Sequence, residues 1–465
     1  MKSKRILKNC IDLINVYESL DGKYIPLHGE TDEVFANFSR EGNKLFIDTN
    51  EKFLESNKRN RNINNKKYKT DNQWGIKITS SFYRGETHPM LNKFEVCGFC
   101  DIESCESNLG FFRLVMQHKK KGYRIDHCFD KLLSISTDIS SELLNGSEVK
   151  IAVNHFTFYY SGEYFVIESK DTILRDHFIV SCHAILTGIG FISGYSPGDY
   201  GYIFKFDTID SVDFSFYEFL SSFVASHDDH NYTVISSDVY SYILYGDISN
   251  KEKRNEFVEK HKDDFHGISY DSFSLLCENL LNNQKFSDGI HSIMEARKSS
   301  LIAMGILYSV ALESLSALVT DENKEKRKAL QENLISTAQK FFEDEKLELE
   351  LKDSPIEKRL NSVNDPTNAD KLIKPYELLN IPLFDDDKKI INHRNDFLHG
   401  KPICNLTLDD DNGFKKLWYI ALRLNFLANA IALKYINHKG NIKNLSGLLL
   451  PDYTDKNQQP TFRKI

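Results

Sequence analysis

The sequence predicts an α+β chain: a β-rich N-terminal region over residues 1–250 with one internal helix, an all-helical bundle over 255–445, and a loose C-terminal tail over 446–465. Two observations carry that division. Before residue 250, short runs of aromatic and β-branched residues alternate with turn chemistry; after it, apolar residues recur with the 3.6-residue period of helices. Thirty-two Phe and twenty-two Tyr also favour strands, whose pleated faces accommodate aromatic side chains. A chain of 465 residues exceeds one compact core, so two or three domains are expected.

The candidate strands are 44–47, 74–78, 94–99, 111–116, 149–153, 155–160, 164–168 and 202–206, with turn signals such as Ser161-Gly162 and Asp21-Gly22 near them. The internal helix is expected over 172–185, with Ile173, Leu174, Phe178, Ile179, Cys182 and Ile185 as its apolar stripe. Residues 57–69, polar and basic, read as an exposed loop. In the second region, helices are expected over 255–261, 272–281, a long span 287–319, and charged amphipathic stretches within 324–363. A loop at 364–368 precedes a short helical turn near 371–379, which Pro375 should break or restart. A helix over 386–399 should stop at Gly400, with Pro402 preventing continuation. The last long helix, 413–435, offers Phe414, Leu417, Trp418, Ala421, Leu422, Leu424, Phe426 and Leu427 to the core.

Composition narrows the function classes. The hydrophobic fraction of 41% fits a folded protein, and a net charge of -8 argues against a general basic coat for non-specific nucleic-acid binding. It leaves room for a local basic site, because whole-chain charge governs solubility and steering, not one pocket. The longest apolar run, 301–312, is short of the ~20 residues a spanning helix needs, so no membrane partner is expected. No apolar signal segment follows the basic MKSKRILKNC start, and eight irregularly spaced cysteines read as reduced thiols; a cytoplasmic location is expected.

The chemistry is most legible in IINHRNDFLHG, residues 390–400. On a helix, Ile390, Ile391, Phe397 and Leu398 share one broad apolar side with Arg394 in its middle, while Asn392, Asn395, Asp396 and His399 lie opposite. A guanidinium in an apolar stripe needs a partner, because an unpaired buried charge is costly. Glu313 is the candidate: it shares a helix face with Ile302, Ile306, Val310 and Ala317. The plain reading of these residues is a structural Arg–Glu pair plus a surface histidine at a helix end.

Arg394-Asn395-Asp396-Phe397-Leu398-His399, followed by Gly400, is an R-x4-H motif that resembles the signature of HEPN domains. An ALE-x-L segment (Ala311, Leu312, Glu313, Leu315) resembles the family's first core helix with its acidic residue, and a long helix follows the motif. The likeness covers residues 288–437 in outline. The strands before residue 170, the segment 129–144 and the helix leading to Gly188-Ile189-Gly190-Phe191 resemble, more diffusely, the N-terminal domain of ApeA-type anti-phage HEPN proteins.

The resemblance implies a HEPN helical bundle and a metal-independent endoribonuclease of a phage-defence, abortive-infection type. Its partners would be RNA, with tRNA the family-level substrate, a second copy of the chain, and a phage-derived trigger. The ribose 2′-OH would be the nucleophile, so the protein need only move protons and stabilise a phosphorane. His399 would transfer protons, Arg394 would bind phosphoryl oxygens, and Asn395 would orient the ring or a phosphate, with Glu313 and Asp396 supporting. Because Arg394 and His399 are about 140° apart on one helix, a composite cleft in a homodimer is expected. Two alternatives stay open: an inactive HEPN module for dimerisation or RNA binding, and a partner of a separate nucleotidyltransferase.

Weaker constellations remain. Cys97, Cys100, Cys105 and Cys128, with His127, are a candidate structural zinc set, although a strand through 94–102 would point Cys97 and Cys100 to opposite faces; no cofactor is expected for catalysis. His227-Asp228-Asp229-His230 reads as a polar loop, and the lysines at 119–121, with Tyr123 and Arg124, as a solvated hairpin end. Gly188, Gly190 and Gly194 read as a turn with tight packing, not a dinucleotide fingerprint.

Overall fold

The computed structural model describes residues 7–28, 33–41, 44–49, 66–69, 75–79, 93–99, 109–117, 128–220 (without 141, 196, 199, 209–210, 212–213 and 215), 233–235, 251–319 (without 262 and 265), 324–344, 368–398, 411–450 and 460–465. The chain is α+β and divides into two compact units. One comprises Met1–Val239 with His266–Asn282, the other Tyr240–Phe265 with Asn283–Ile465.

The first unit begins with α1 (Lys8–Glu18), which the sequence reading passed over. Its buried residues Cys10, Leu13, Ile14 and Tyr17 follow the i, i+3, i+4, i+7 spacing of an amphipathic helix. No local side chain caps it. Instead the Asp138 carboxylate accepts hydrogen bonds from the Leu7 and Lys8 amides at 2.6 and 3.0 Å, the favourable place for an anion at a helix N-terminus.

Fourteen strands among the described residues make one sheet. They are β1 (Tyr24–His28), β2 (Glu33–Glu41), β3 (Lys44–Thr49), β4 (Lys66–Lys69), β5 (Gly75–Thr79), β6 (Lys93–Phe99) and β7 (Leu109–Gln117). Then come β8 (Leu133–Ile135), β9 (Leu144–Ile151), β10 (Asn154–Ser161), β11 (Tyr164–Ser169), β12 (Ile173–Leu174), β13 (Gly201–Phe206) and β14 (Phe216–Leu220). The order is β3-β2-β1-β4-β5-β6-β14-β13-β7-β11-β10-β9-β8, with β12 on β7. β6 also pairs β3, so β1 to β6 close a ring. Strand β4 (KKYK) corrects part of the loop expected over 57–69: backbone pairing with β5 outweighs its weak strand propensity. Residues 57–65 lie outside the described residues.

α2 (Arg175–Ser193) covers this unit's core and runs past the expected end at Ile185. Leu174, expected in its stripe, is exposed and belongs to β12. The helix stops at Gly194, whose φ of 73° is the left-handed conformation that glycine adopts without strain. At Gly188 a Cβ would sit 3.1 Å from the Phe273 ring, so the glycine admits close approach by α4 (Tyr270–Asn282). α4 therefore groups with the first unit and not with the helical bundle that the sequence predicts over 255–445. α2 is the one described helix long and apolar enough to cross a membrane, and most of its apolar length is buried.

Between β7 and β11, the directly paired Arg113 and Glu168 are both buried and lie 2.7 Å apart. Tyr159 donates to the same carboxylate oxygen at 3.0 Å, and the guanidinium lies 4.6 Å from the Phe206 ring centroid. Burial works against the cation, but Glu168, Cys10 and Tyr159 together outweigh it and hold Arg113 above its ordinary pKa. Burial pushes the neighbouring Cys10 thiol up to about 12, so it is an inert packing group.

The second unit contains α3 (Lys251–His261), α5 (Gln284–Ala296), α6 (Leu301–Ser316), α7 (Lys324–Asp344), α8 (Asn368–Leu378), α9 (Asp385–Leu398) and α10 (Asp411–Tyr435). It ends with β15 (Asn441–Lys443), α11 (Leu445–Leu449) and β16 (Phe462–Lys464). The single helix expected over 287–319 is two, α5 and α6, broken at 297–300. The Ser299 hydroxyl there donates to the Glu295 carbonyl at 2.9 Å, a local alternative to helix continuation. The hairpin closes tightly: a Cβ on Gly289 would lie 2.7 Å from Leu315.

Pro375 does not break α8, because Leu372 and Tyr376 are buried on either side of it and packing overrides the lost hydrogen bond. α8 and α10 are followed by left-handed Asn380 and Asn437, and the Ile381 and His438 amides donate back to Tyr376 and Leu433. The α10 core candidates from Leu417 to Leu427 hold, except that Phe414 is half exposed and Trp418 only partly buried. The loose tail expected over 446–465 is corrected: residues 460–465 form β16 against β15, with Arg463 and Ile465 buried.

Candidate functional site

α9 packs against α6, α8 and α10. Its approach to α6 depends on Gly305, where a Cβ would lie 2.4 Å from the Phe397 ring. Ile390, Ile391 and Phe397 are buried, as the apolar face of α9 requires, and Asn392 is exposed. Arg394 lies on the buried side. Its Nη1 is 2.9 Å from Glu313 Oε1 on α6, with the arginine side chain 7% exposed and the glutamate 45%. The ion pair inferred from two charges in apolar stripes is therefore present, near the 2.7–2.9 Å of charge-assisted hydrogen bonds.

The surroundings of Glu313 differ from expectation. Its companions do not face a core: Ile302 is 50% exposed, Ile306 and Val310 are partly buried, and Ala317 is exposed. α6 is apolar on every side, and Met304, Tyr308, Ala311, Leu312 and Leu315 take the buried positions. The pair thus joins a buried cation to a carboxylate at the water boundary, beside an apolar stripe that this chain leaves partly open.

Asn395 and Asp396 lie on α9, but their side chains are outside the described set. His399, Gly400 and Pro402 follow α9 outside the described residues. Of the zinc candidates, Cys97 lies on β6 and Cys128 is buried with its Sγ 4.0 Å from the Ile192 carbonyl; Cys100, Cys105 and His127 lie outside the described residues. Among the described residues, no group of three or more His, Cys, Asp or Glu is arranged to hold a metal ion. The 227–230 and 118–124 segments also lie outside the described residues.

A second ionic centre lies at the other end of α9, and sequence reading missed it. Asp387 is fully buried and pairs with Arg423 of α10 and with Arg463 of β16. Burial and repulsion from Arg463 lower the Arg423 pKa to about 9; burial lowers Arg463 to about 10. Asp387 also accepts from the Phe384 amide at 2.9 Å, which caps the first turn. The signal was available: Arg423 interrupts the apolar run of α10 just as Arg394 interrupts that of α9.

Compared with protein-family models, curated proteins and solved structures, the chain finds no match.

Proposed function

We propose that the chain is a metal-independent endoribonuclease of the HEPN class, acting as a phage-defence effector, with Arg394 and His399 at its catalytic centre. One observation carries the reading: a buried guanidinium, five residues before His399, lies 2.9 Å from a carboxylate that reaches water. The planar guanidinium fork is a geometry suited to phosphoryl oxygens. The helical surroundings and the ALE-x-L segment that supplies Glu313 support the same reading.

In this mechanism the ribose 2′-OH attacks the adjacent phosphate and the P–O5′ bond breaks, leaving a 2′,3′-cyclic phosphate on one product and a 5′-hydroxyl on the other. His399 takes part in moving a proton from the 2′-oxygen to the departing 5′-oxygen, Arg394 steadies the charge on the phosphoryl oxygens, and Asn395 orients one of them. Glu313 holds the guanidinium in place, with Asp396 supporting. The partly open stripe of Ile302, Ile306 and Val310 beside Glu313 supports a homodimer, in which a second copy covers it and completes the cleft. Sedimentation should show a dimer at micromolar concentration, and mixed Arg394→Ala and His399→Ala protomers should regain part of the activity; a monomer that cuts RNA refutes the composite cleft.

The test of function is to incubate the full chain with total cellular RNA and sequence the new ends. Wild type should produce defined cleavages, in tRNA if the family-level expectation holds, and His399→Ala should produce none while keeping its oligomeric state. RNA binding without cleavage by wild type would favour the inactive binding module instead.

A further inference from the structure

We infer that residues 460–465 form a clasp that sets the position of α9, with Arg463 as a positioning residue for Arg394. The inference rests on the reading of Arg394 as the phosphate-binding cation.

The clasp is built from backbone first. β16 pairs β15 in the register Asn441↔Lys464, Ile442↔Arg463 and Lys443↔Phe462. Asn444 secures the entry to β16, donating from its amide to the Thr461 carbonyl at 2.8 Å and from its side chain to the Pro460 carbonyl at 2.9 Å. Ile465 is buried at the far end.

From this strand Arg463 reaches the start of α9 at three points. Its Nη2 donates to the Pro382 carbonyl at 2.7 Å and pairs with Asp387 Oδ2 at 3.0 Å, while Nη1 reaches Oδ1 at 3.3 Å. Phe384 and Phe426 lie against the guanidinium, with ring centroids 4.4 and 4.3 Å away. One side chain thus holds both the segment entering α9 and its first turn. Lysine has one point charge and no fork, and cannot reproduce that grip.

The consequence follows from helix geometry. Asp387 and Arg394 are seven residues apart, so they share a face to within about 20° and lie about 10 Å apart along the axis. The buried side of α9 carries two anchors of opposite sign: the anion at its start is gripped by Arg463 and Arg423, and the cation two turns later by Glu313. A helix held at one anchor can slide or turn about it. Held at both, its register is set, and with it the direction of the Arg394 guanidinium.

Arg463→Gln tests this selectively, because Asp387 keeps Arg423 as a one-to-one partner. In the full chain, amide hydrogen exchange over residues 388–398 should accelerate about ten- to a hundredfold, the scale of losing a hydrogen bond to a charged group. Exchange in α5 and α6 should stay at the wild-type rate. RNA cleavage should lose kcat with KM unchanged, and Arg463→Lys should fall between the two. If Arg463→Gln does not fold, Arg463→Lys carries the test, with a smaller acceleration expected over the same residues. Unchanged exchange in α9, or equal acceleration throughout the unit, overturns the clasp; local acceleration with unchanged kcat overturns its link to Arg394. If wild type cleaves no RNA, the nuclease reading and the link to Arg394 fail together, while exchange still decides whether the clasp holds α9.

Discussion

Arg113 and Arg394 are both buried arginines paired with glutamate, but their partners differ. Glu168 is as buried as Arg113, takes a further hydrogen bond from Tyr159, and lies in the middle of a sheet. Glu313 is nearly half exposed and lies 2.9 Å from Arg394 Nη1. The first pair is closed on all sides and serves the fold. The second is open on the carboxylate side, the side from which the proposed RNA phosphate would reach the cation. The difference between the two pairs lies in the exposure of the anion.

Truncating each arginine should separate the two pairs most widely. Arg394→Ala should lower RNA cleavage about 10²–10³-fold, the usual loss for one charge-stabilising donor, with kcat carrying most of it. Arg113→Ala should instead strand Glu168 and destabilise the first unit by about 3–5 kcal/mol. That should appear as a melting temperature lower by roughly 10 °C, with cleavage per folded molecule unchanged. If Arg394→Ala melts far lower yet cuts RNA normally when folded, both pairs are structural.

The smallest effect sharpens the contrast. Glu313→Ala should lower stability by less than Arg113→Ala, about 1–3 kcal/mol, because it strands the buried Arg394 guanidinium while water already shares the carboxylate. Its effect on cleavage should be larger, since the guanidinium loses its hold, and Glu313→Gln should retain part of the rate through its acceptor oxygen. A drop in stability as large as that of Arg113→Ala would mean that Glu313 is not open in solution.

Most strands of the first unit were readable because their apolar and aromatic residues stand between turn signals. β1, with Pro26, and β2 and β4, rich in polar residues, were not, since their pairing comes from neighbours and not from propensity. The break between α5 and α6 was hidden by apolar periodicity that continues across it. At the site, Arg394 and Glu313 could be paired from sequence because each interrupts an apolar stripe. Which side of α6 is open could not be read, because α6 is apolar all round. The Asp387–Arg423–Arg463 cluster needed an arginine from the segment read as a loose tail, and a carboxylate indistinguishable from its neighbours Asp385 and Asp386.

Arg394 and His399 are proposed to cut RNA without a metal. The most direct measurement is cleavage of a short RNA by the full chain in excess EDTA, beside a matched substrate with a single 2′-deoxy nucleotide at the cut site. The expected result is an undiminished rate in chelator, a 2′,3′-cyclic phosphate on the product, and no cleavage of the deoxy substrate. Loss of cleavage in EDTA with recovery on adding Mg²⁺, or cleavage of the deoxy substrate at the same position, would contradict it.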